Sequence, residues 1–172
     1  MFWYKLKDFW TKKIVKKRLS NVKHLEFSGV IKKVGIIFDE TYFYEKDDLI
    51  NELILNGINE NDISILVFKN KIKKKETFDY PVCSHQDISW SARFEKQEVE
   101  AFTNKNFDLL ISYYDTEKAA LLVLTYQSKA SFKVGFASVD KRLNHFMIDT
   151  NAENYKVFMD EMFKYLKILN KL

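Results

Sequence analysis

Three groups of residues have the types and spacing to do chemistry. Cys83 and His85 stand two apart, residue types that can serve as a thiol nucleophile and its base. Thiol catalysis needs the base within hydrogen-bond reach and a third group to orient it. Two-residue spacing neither supplies nor excludes that reach, and no third group is evident. Metal binding needs more ligands than this pair, and the other histidines, His24 and His145, stand alone. The sequence therefore predicts no catalytic residue, no metal site and no cofactor.

The second group is acidic. Asp39 and Glu40 follow the apolar run VGIIF, and Tyr114 and Asp115 follow LLISY. If both runs are parallel neighbours, the four residues meet at the carboxyl edge of a sheet, where open α/β folds bind ligands. A glycine-rich phosphate loop is missing there, since Thr41-Tyr42-Phe43-Tyr44 comes next. Asp115 is equally suited to capping a following helix.

The third group is basic. Residues 1 to 23 hold eight Lys or Arg against one acid, Asp8, a surplus of seven in a chain whose net charge is +4. The rest of the chain is left at −3. A basic arm on a mildly acidic body is the asymmetry of proteins that touch nucleic acid or anionic lipid. A second basic run, Lys69 to Lys75 (KNKIKKK), places five lysines in seven residues.

The elements that must position these groups are legible from periodicity. Residues 3 to about 19 read as a helix, with Trp3, Leu6, Phe9, Trp10 and Ile14 at helical spacing and most lysines off that stripe. Lys33–Asp39 and Ile63–Phe68 read as buried strands around a helix at 45–56, closed by Gly57. Phe107–Tyr113 and Phe132–Phe136 flank a helix that is apolar almost all round from Ala119 to Leu124. Such a helix needs cover beyond the sheet, from this chain or from a partner. Asp115 or Thr116 would cap it, with Glu117 in its first turn. Gly135 inside a strand implies a close backbone contact or a bulge.

Elsewhere the pattern is weaker. Tyr80-Pro81 breaks regular structure, Ile88–Trp90 reads as a short strand, and Glu95–Asn104 reads as a helix. Residues 139–144 look too short for a parallel crossover, which makes His145–Ile148 an antiparallel edge strand or a strand of separate pairing. Thr150 and Glu153 fit a capping box for a last helix, whose stripe is Tyr155, Phe158, Met159, Met162, Phe163, Leu166 and Leu169.

The fold class expected is α/β: a mostly parallel, Rossmann-like open sheet with helices on both faces, plus a basic N-terminal helix. The domain reading is an arm over 1–24 and one α/β domain over 25–172. Of 172 residues 47% are apolar, enough for a core, and Cys83 is the sole cysteine, so no internal disulfide forms. Without a signal peptide pattern or a long apolar run, the expected location is cytoplasmic.

The segments KVGIIFDE, ISW at 88–90, FDLLISYYD and FKVGF resemble an uncharacterised bacterial family of small α/β proteins, a domain of unknown function. The likeness covers most of the chain beyond the arm. It further implies a lineage-specific component of the large ribosomal subunit. A weaker likeness joins D-L-L-I, A-L-L and K-V-G-F to the amino-terminal half of heptosyl-type glycosyltransferases. Those enzymes carry a Gly-Asp turn after the first strand and a second nucleotide-sugar domain. The turn is absent here and 172 residues leave no room for that domain, so this likeness implies a non-catalytic relative rather than an intact transferase.

Three functional expectations follow. The first is a non-enzymatic RNA-associated protein, ribosome-associated, with ribosomal RNA and neighbouring ribosomal proteins as partners. Its RNA-binding residues would be Trp3, Lys5, Lys7, Trp10, Lys12, Lys13, Lys16, Lys17, Arg18 and Lys23 on the arm, with Lys69, Lys71, Lys73, Lys74 and Lys75 on the loop. Lysines would neutralise phosphates and tryptophans would stack on bases or anchor the helix to the body. The second is a small α/β enzyme or degenerate glycosyltransferase-like half-domain, with Asp39, Glu40, Tyr114 and Asp115 at its site. The third is a peripheral protein on an anionic membrane surface, held by the same helix. Docking of the helix onto the body by its aromatic stripe, with lysines in water, is compatible with the first and third.

Overall fold

The computed structural model describes residues 2–22, 27–41, 43–73 and 75–172, the side chains from Lys5 onward. Six strands form one sheet: β1 (Val34–Asp39), β2 (Ile63–Phe68), β3 (Val82–Cys83), β4 (Leu109–Tyr113), β5 (Phe132–Phe136) and β6 (Phe146–Ile148). Their order is β3-β2-β1-β4-β5-β6. Every pairing is parallel. The helices are α1 (Phe2–Leu19), α2 (Lys46–Leu55), α3 (Gln97–Asn104), α4 (Ala119–Gln127) and α5 (Tyr155–Ile168).

This is the Rossmann strand order, which reverses direction between β1 and β4. Connections from β1 run one way along the sheet and those into β5 run the other. With right-handed crossovers the helices therefore fall on opposite faces. α2 packs beside α5, and α3 beside α4. β1 and β4 are buried at every position, as strands covered on both faces must be.

α4 is buried from Ala119 to Thr125. Its outer side is covered by α1, which supplies the extra layer that the apolar sequence demands. Fully burying Leu121, Leu122, Val123 and Leu124 is worth about 1.5–3 kcal/mol each in transfer free energy. α1 docks, but not by its aromatic stripe. Its buried residues are Thr11, Val15 and Leu19, while Phe9 and Trp10 are 61% and 45% exposed.

β6 is parallel to β5, against the expectation of an antiparallel edge or separate pairing. The length rule fails because β6 is so short. Val134 pairs with Phe146 and Phe136 with Ile148, so the chain need only return two positions, about 7 Å, before pairing begins. Residues 137–145 manage that without a helix. They pass directly over Gly135, whose missing Cβ leaves the space that the Asn144 carboxamide fills. The close contact expected at Gly135 is this one.

Three further boundaries differ. The short strand of the irregular region is Val82–Cys83, directly after Pro81; Ile88 makes only an isolated antiparallel bridge to Phe94. α4 begins at Ala119 without a side-chain cap of its own, so neither Asp115 nor Thr116 caps it and Glu117 precedes it. The capping box at Thr150 does not form. β4's end claims the Ala152 peptide instead: Tyr113 Oη donates to Ala152 O at 2.7 Å and the Asp115 carboxylate accepts from Ala152 N at 2.9 Å. α5 then starts at Tyr155.

Candidate functional site

The carboxyl ends of β1 and β4 are neighbours, so Asp39, Glu40, Tyr114 and Asp115 do belong to one edge of the sheet. Each is engaged in holding the fold. Asp39 is 5% exposed, pairs with Lys118 Nζ at 2.6 Å and accepts from Thr41 N at 3.0 Å. Lys118 also donates to Thr41 Oγ1 at 2.8 Å and lies over the Phe68 ring. Glu40 sits 2.9 Å from Lys69. Tyr114 turns away from the edge into the core, where its hydroxyl meets Thr125 Oγ1 at 2.6 Å and Leu121 O at 3.2 Å. Burial raises its pKa. Asp115 holds the Ala152 peptide.

The N-terminus of α4 faces this edge, a position that favours negative charge. α1 supplies that charge from within the chain: Asp8 Oδ1 accepts from Ala119 N at 3.3 Å. Lys7, Asp8, Thr11, His85, Ile88 and Ala119 close around a remaining space of about 10 Å³, room for roughly one water. The crevice at the strand-order reversal is thus filled by Lys118 and by α1.

Cys83 and His85 do not form a reactive pair by environment. Cys83 is fully buried, which pushes its thiol pKa well up. His85 packs edge-on against Phe68, and burial holds its pKa below the usual histidine range. Among the described residues no group of three or more His, Cys, Asp or Glu is arranged to hold a metal ion.

The basic residues of α1 divide into two sets. One set ties α1 to the body. Lys16 pairs with Glu117 at 2.8 Å, and Arg18 donates to Ser91 O and Ala92 O. Arg142 of the body donates to Lys16 O at 3.2 Å, while Lys12 pairs within the helix with Asp8 at 3.3 Å. The other set, Lys5, Lys13 and Lys17, is exposed at i, i+8 and i+12, with Phe9 at i+4 completing a single ridge. Trp10 lies beside it, in edge contact with Phe9, with Lys13 Nζ 5.2 Å from its ring centre. Lys7 is half-buried. Trp3 belongs to α1, but its side chain lies outside the described residues, as do Lys23 and Lys74.

On the lysine loop, Lys71, Lys73 and Lys75 are exposed. Lys69 is not: it bridges Glu40 and Glu76, at 2.9 and 3.0 Å. Burial works against its charge, but the two carboxylates outweigh this and raise its pKa. The loop leaves β2 at Phe68, the residue that His85 packs on, and His85 lies against α1. Both basic segments therefore adjoin the carboxyl edge.

Two residues outside the sequence-predicted set also build this region. Asp8, the lone acid of the arm, was the signal for α1's docking face. Lys118, a cation just ahead of an apolar helix, was the signal for a buried acid partner.

Strand order, all-parallel pairing and helices on both faces define a Rossmann-like α/β protein with an added helical layer. The chain belongs to a family of unknown function, DUF6913, whose model matches residues 7–169. No curated protein and no solved structure matches it. No helix among the described residues is long and apolar enough to cross a membrane.

Proposed function

We propose that the protein is a non-enzymatic RNA-associated protein whose outward α1 face contacts the nucleic acid. One observation carries this reading. α1 docks through Thr11, Val15 and Leu19 and leaves two large aromatics, Phe9 and Trp10, in water among Lys5, Lys13 and Lys17. A helix serving only as cover for α4 would turn its aromatics inward, because each fully buried aromatic side chain contributes about 1.5–3 kcal/mol. Lysines alternating with exposed aromatic rings suit single-stranded or folded RNA, with phosphates neutralised and bases stacked. The non-enzymatic part rests on the carboxyl edge, where Asp39, Glu40, Tyr114 and Asp115 are all committed to structural contacts. An interfacial membrane helix would need a broad apolar face, and α1 has spent one side of itself on α4.

The finer form of the proposal is association with the large ribosomal subunit through ribosomal RNA and its neighbouring proteins. Sedimentation of lysate through a sucrose gradient tests it. Co-migration with large ribosomal particles, lost after ribonuclease or at high salt, is the expected result. Migration as a small free species in every condition would sink the ribosomal form, and binding to anionic vesicles instead would favour the membrane reading.

A further inference from the structure

Beside the filled crevice, an open cleft lies at the carboxyl edge. It lies over the ends of β1 and β2, has a volume of about 390 Å³, and is lined by Glu40, Thr41, Tyr44, Lys69, Asn70 and Lys71. That volume falls within the ~300–1,000 Å³ of small-ligand sites. We infer that this cleft takes one nucleotide unit of single-stranded RNA, its base stacked on Tyr44 and its phosphate on Lys71. The inference rests on the RNA reading above and names a second contact for it, away from α1.

Three features support the assignment. Tyr44 is 76% exposed, an unusual place for so large a ring, and its hydroxyl is tethered to Thr41 O at 3.4 Å. The exposed ring lines the cleft and is available to any base, since every base has a π-face. Glu40 also lines the cleft, but its carboxylate is taken up by Lys69 Nζ at 2.9 Å. Asn70, with a donor and an acceptor, lines the cleft as well and suits a base edge or a ribose hydroxyl, the group by which RNA differs from DNA. Lys71 is exposed at the rim, while Lys69 is spent on Glu40 and Glu76, so Lys71 is the lysine left to meet a phosphate. Lys73 and Lys75, exposed on the same loop, add further positive charge for the phosphates of a strand.

The cleft differs from the dinucleotide site of the strand order. That site would lie in the crevice between β1 and β4, which Lys118 and Asp8 occupy. The Tyr44 cleft lies one strand over, with Thr41 as the shared wall: its hydroxyl takes a hydrogen bond from Lys118 on one side and it lines the cleft on the other.

The test is fluorescence anisotropy of a labelled oligouridylate octamer on the full chain. Five proteins are compared: the unaltered chain, Tyr44→Ala, Tyr44→Phe, Lys71→Gln, and the triple variant Lys5→Gln, Lys13→Gln, Lys17→Gln. Tyr44→Ala is expected to weaken binding about tenfold, the loss of one base–aromatic stack. Tyr44→Phe should keep it, because stacking needs the ring and not the hydroxyl. Lys71→Gln should reduce the log–log salt slope by about 0.7, one single-strand phosphate. Binding by the unaltered chain that is indifferent to Tyr44→Ala overturns the cleft while leaving the α1 reading standing. No octamer binding by the unaltered chain overturns both. Free uridine monophosphate bound as tightly as the octamer would overturn the RNA assignment in favour of a free nucleotide. Tyr44 is exposed, so the fold of these variants is checked simply by an unchanged urea midpoint.

Discussion

Asp39 and Lys118 meet at 2.6 Å across the point where the strand order reverses, with side chains only 6% and 13% exposed. One residue ends β1 and the other precedes α4, so the pair locks the two halves of the sheet together at the place where a Rossmann crevice would open. A cation ahead of a helix N-terminus is unfavourable by itself. Asp39 offsets that charge here, and Asp8 serves the helix end.

Removing one member should be costly. Lys118→Met leaves Asp39 buried with, among the described residues, only the Thr41 N–H to satisfy it, and breaking such pairs costs about 3–5 kcal/mol. Replacing both, Asp39→Leu with Lys118→Met, should restore much of the loss, since apolar substitution of a buried pair is often near neutral. Urea unfolding of the three variants checks this. A single-variant loss under 1 kcal/mol would mean that the pair is more solvated than its exposure indicates.

α1 offers a contrast between two of its residues. Leu19 is buried against the body and Phe9 projects into water. Leu19→Ala should destabilise by about 2–5 kcal/mol. Phe9→Ala should stay within about 0.5 kcal/mol in the urea midpoint, yet weaken RNA binding. Removing α1 altogether uncovers an apolar α4, so the shortened chain is expected to self-associate in size-exclusion chromatography.

Much of this fold was written in the residues. ISILVF and FKVGF are β2 and β5 to the residue, and Gly57 ends the helical region after α2 with φ +95°. The failures share a cause: long-range contacts outvoted local pattern. The stripe of Leu6, Phe9, Trp10 and Ile14 is the more apolar face of α1. Docking instead follows Asp8, Thr11, Val15 and Leu19, because that rotation brings Asp8 onto the α4 N-terminus and Lys16 onto Glu117. The Thr150 capping box was locally sound, but Asp115, 37 residues away from Ala152, took the backbone donor there. At the carboxyl edge the types of the four polar residues were legible. Their neutralising partners, Lys118, Lys69, Thr125 and Ala152, depend on packing that no local spacing encodes.

Gly135 and Asn144 make a second coupled pair. A Cβ at Gly135 would collide with the Asn144 carboxamide, which is buried and makes no hydrogen bond among the described residues. Gly135→Ala should cost about 1–3 kcal/mol by overpacking. Asn144→Ala should cost little alone and should relieve the first change. A double-mutant cycle is expected to give a coupling of about 0.5–3 kcal/mol, and additivity would show that the crossover yields without strain.

Lys133 gives the chain a pH signature. Its Nζ donates to Thr125 O at 2.7 Å in the last turn of α4, and burial lowers its pKa to about 8. The unfolded chain keeps a lysine near its ordinary value of about 10.4. Between those two values the unfolded state holds more proton than the folded state, so unfolding free energy rises with pH across that window. Below about pH 8 the full penalty of charging a buried amine is present. Cys83, Tyr113 and Tyr114 act in the opposite sense at alkaline pH, because burial raises their pKa values and the unfolded chain loses protons first. The comparison must therefore be between the unaltered chain and Lys133→Met, from pH 7 to 10.5. The variant is expected to be the more stable at pH 7, by on the order of 3 kcal/mol at most, with that advantage shrinking steadily as pH rises. A constant difference across the window would mean that Lys133 titrates alike in both states, leaving its bond to the end of α4 as its sole contribution.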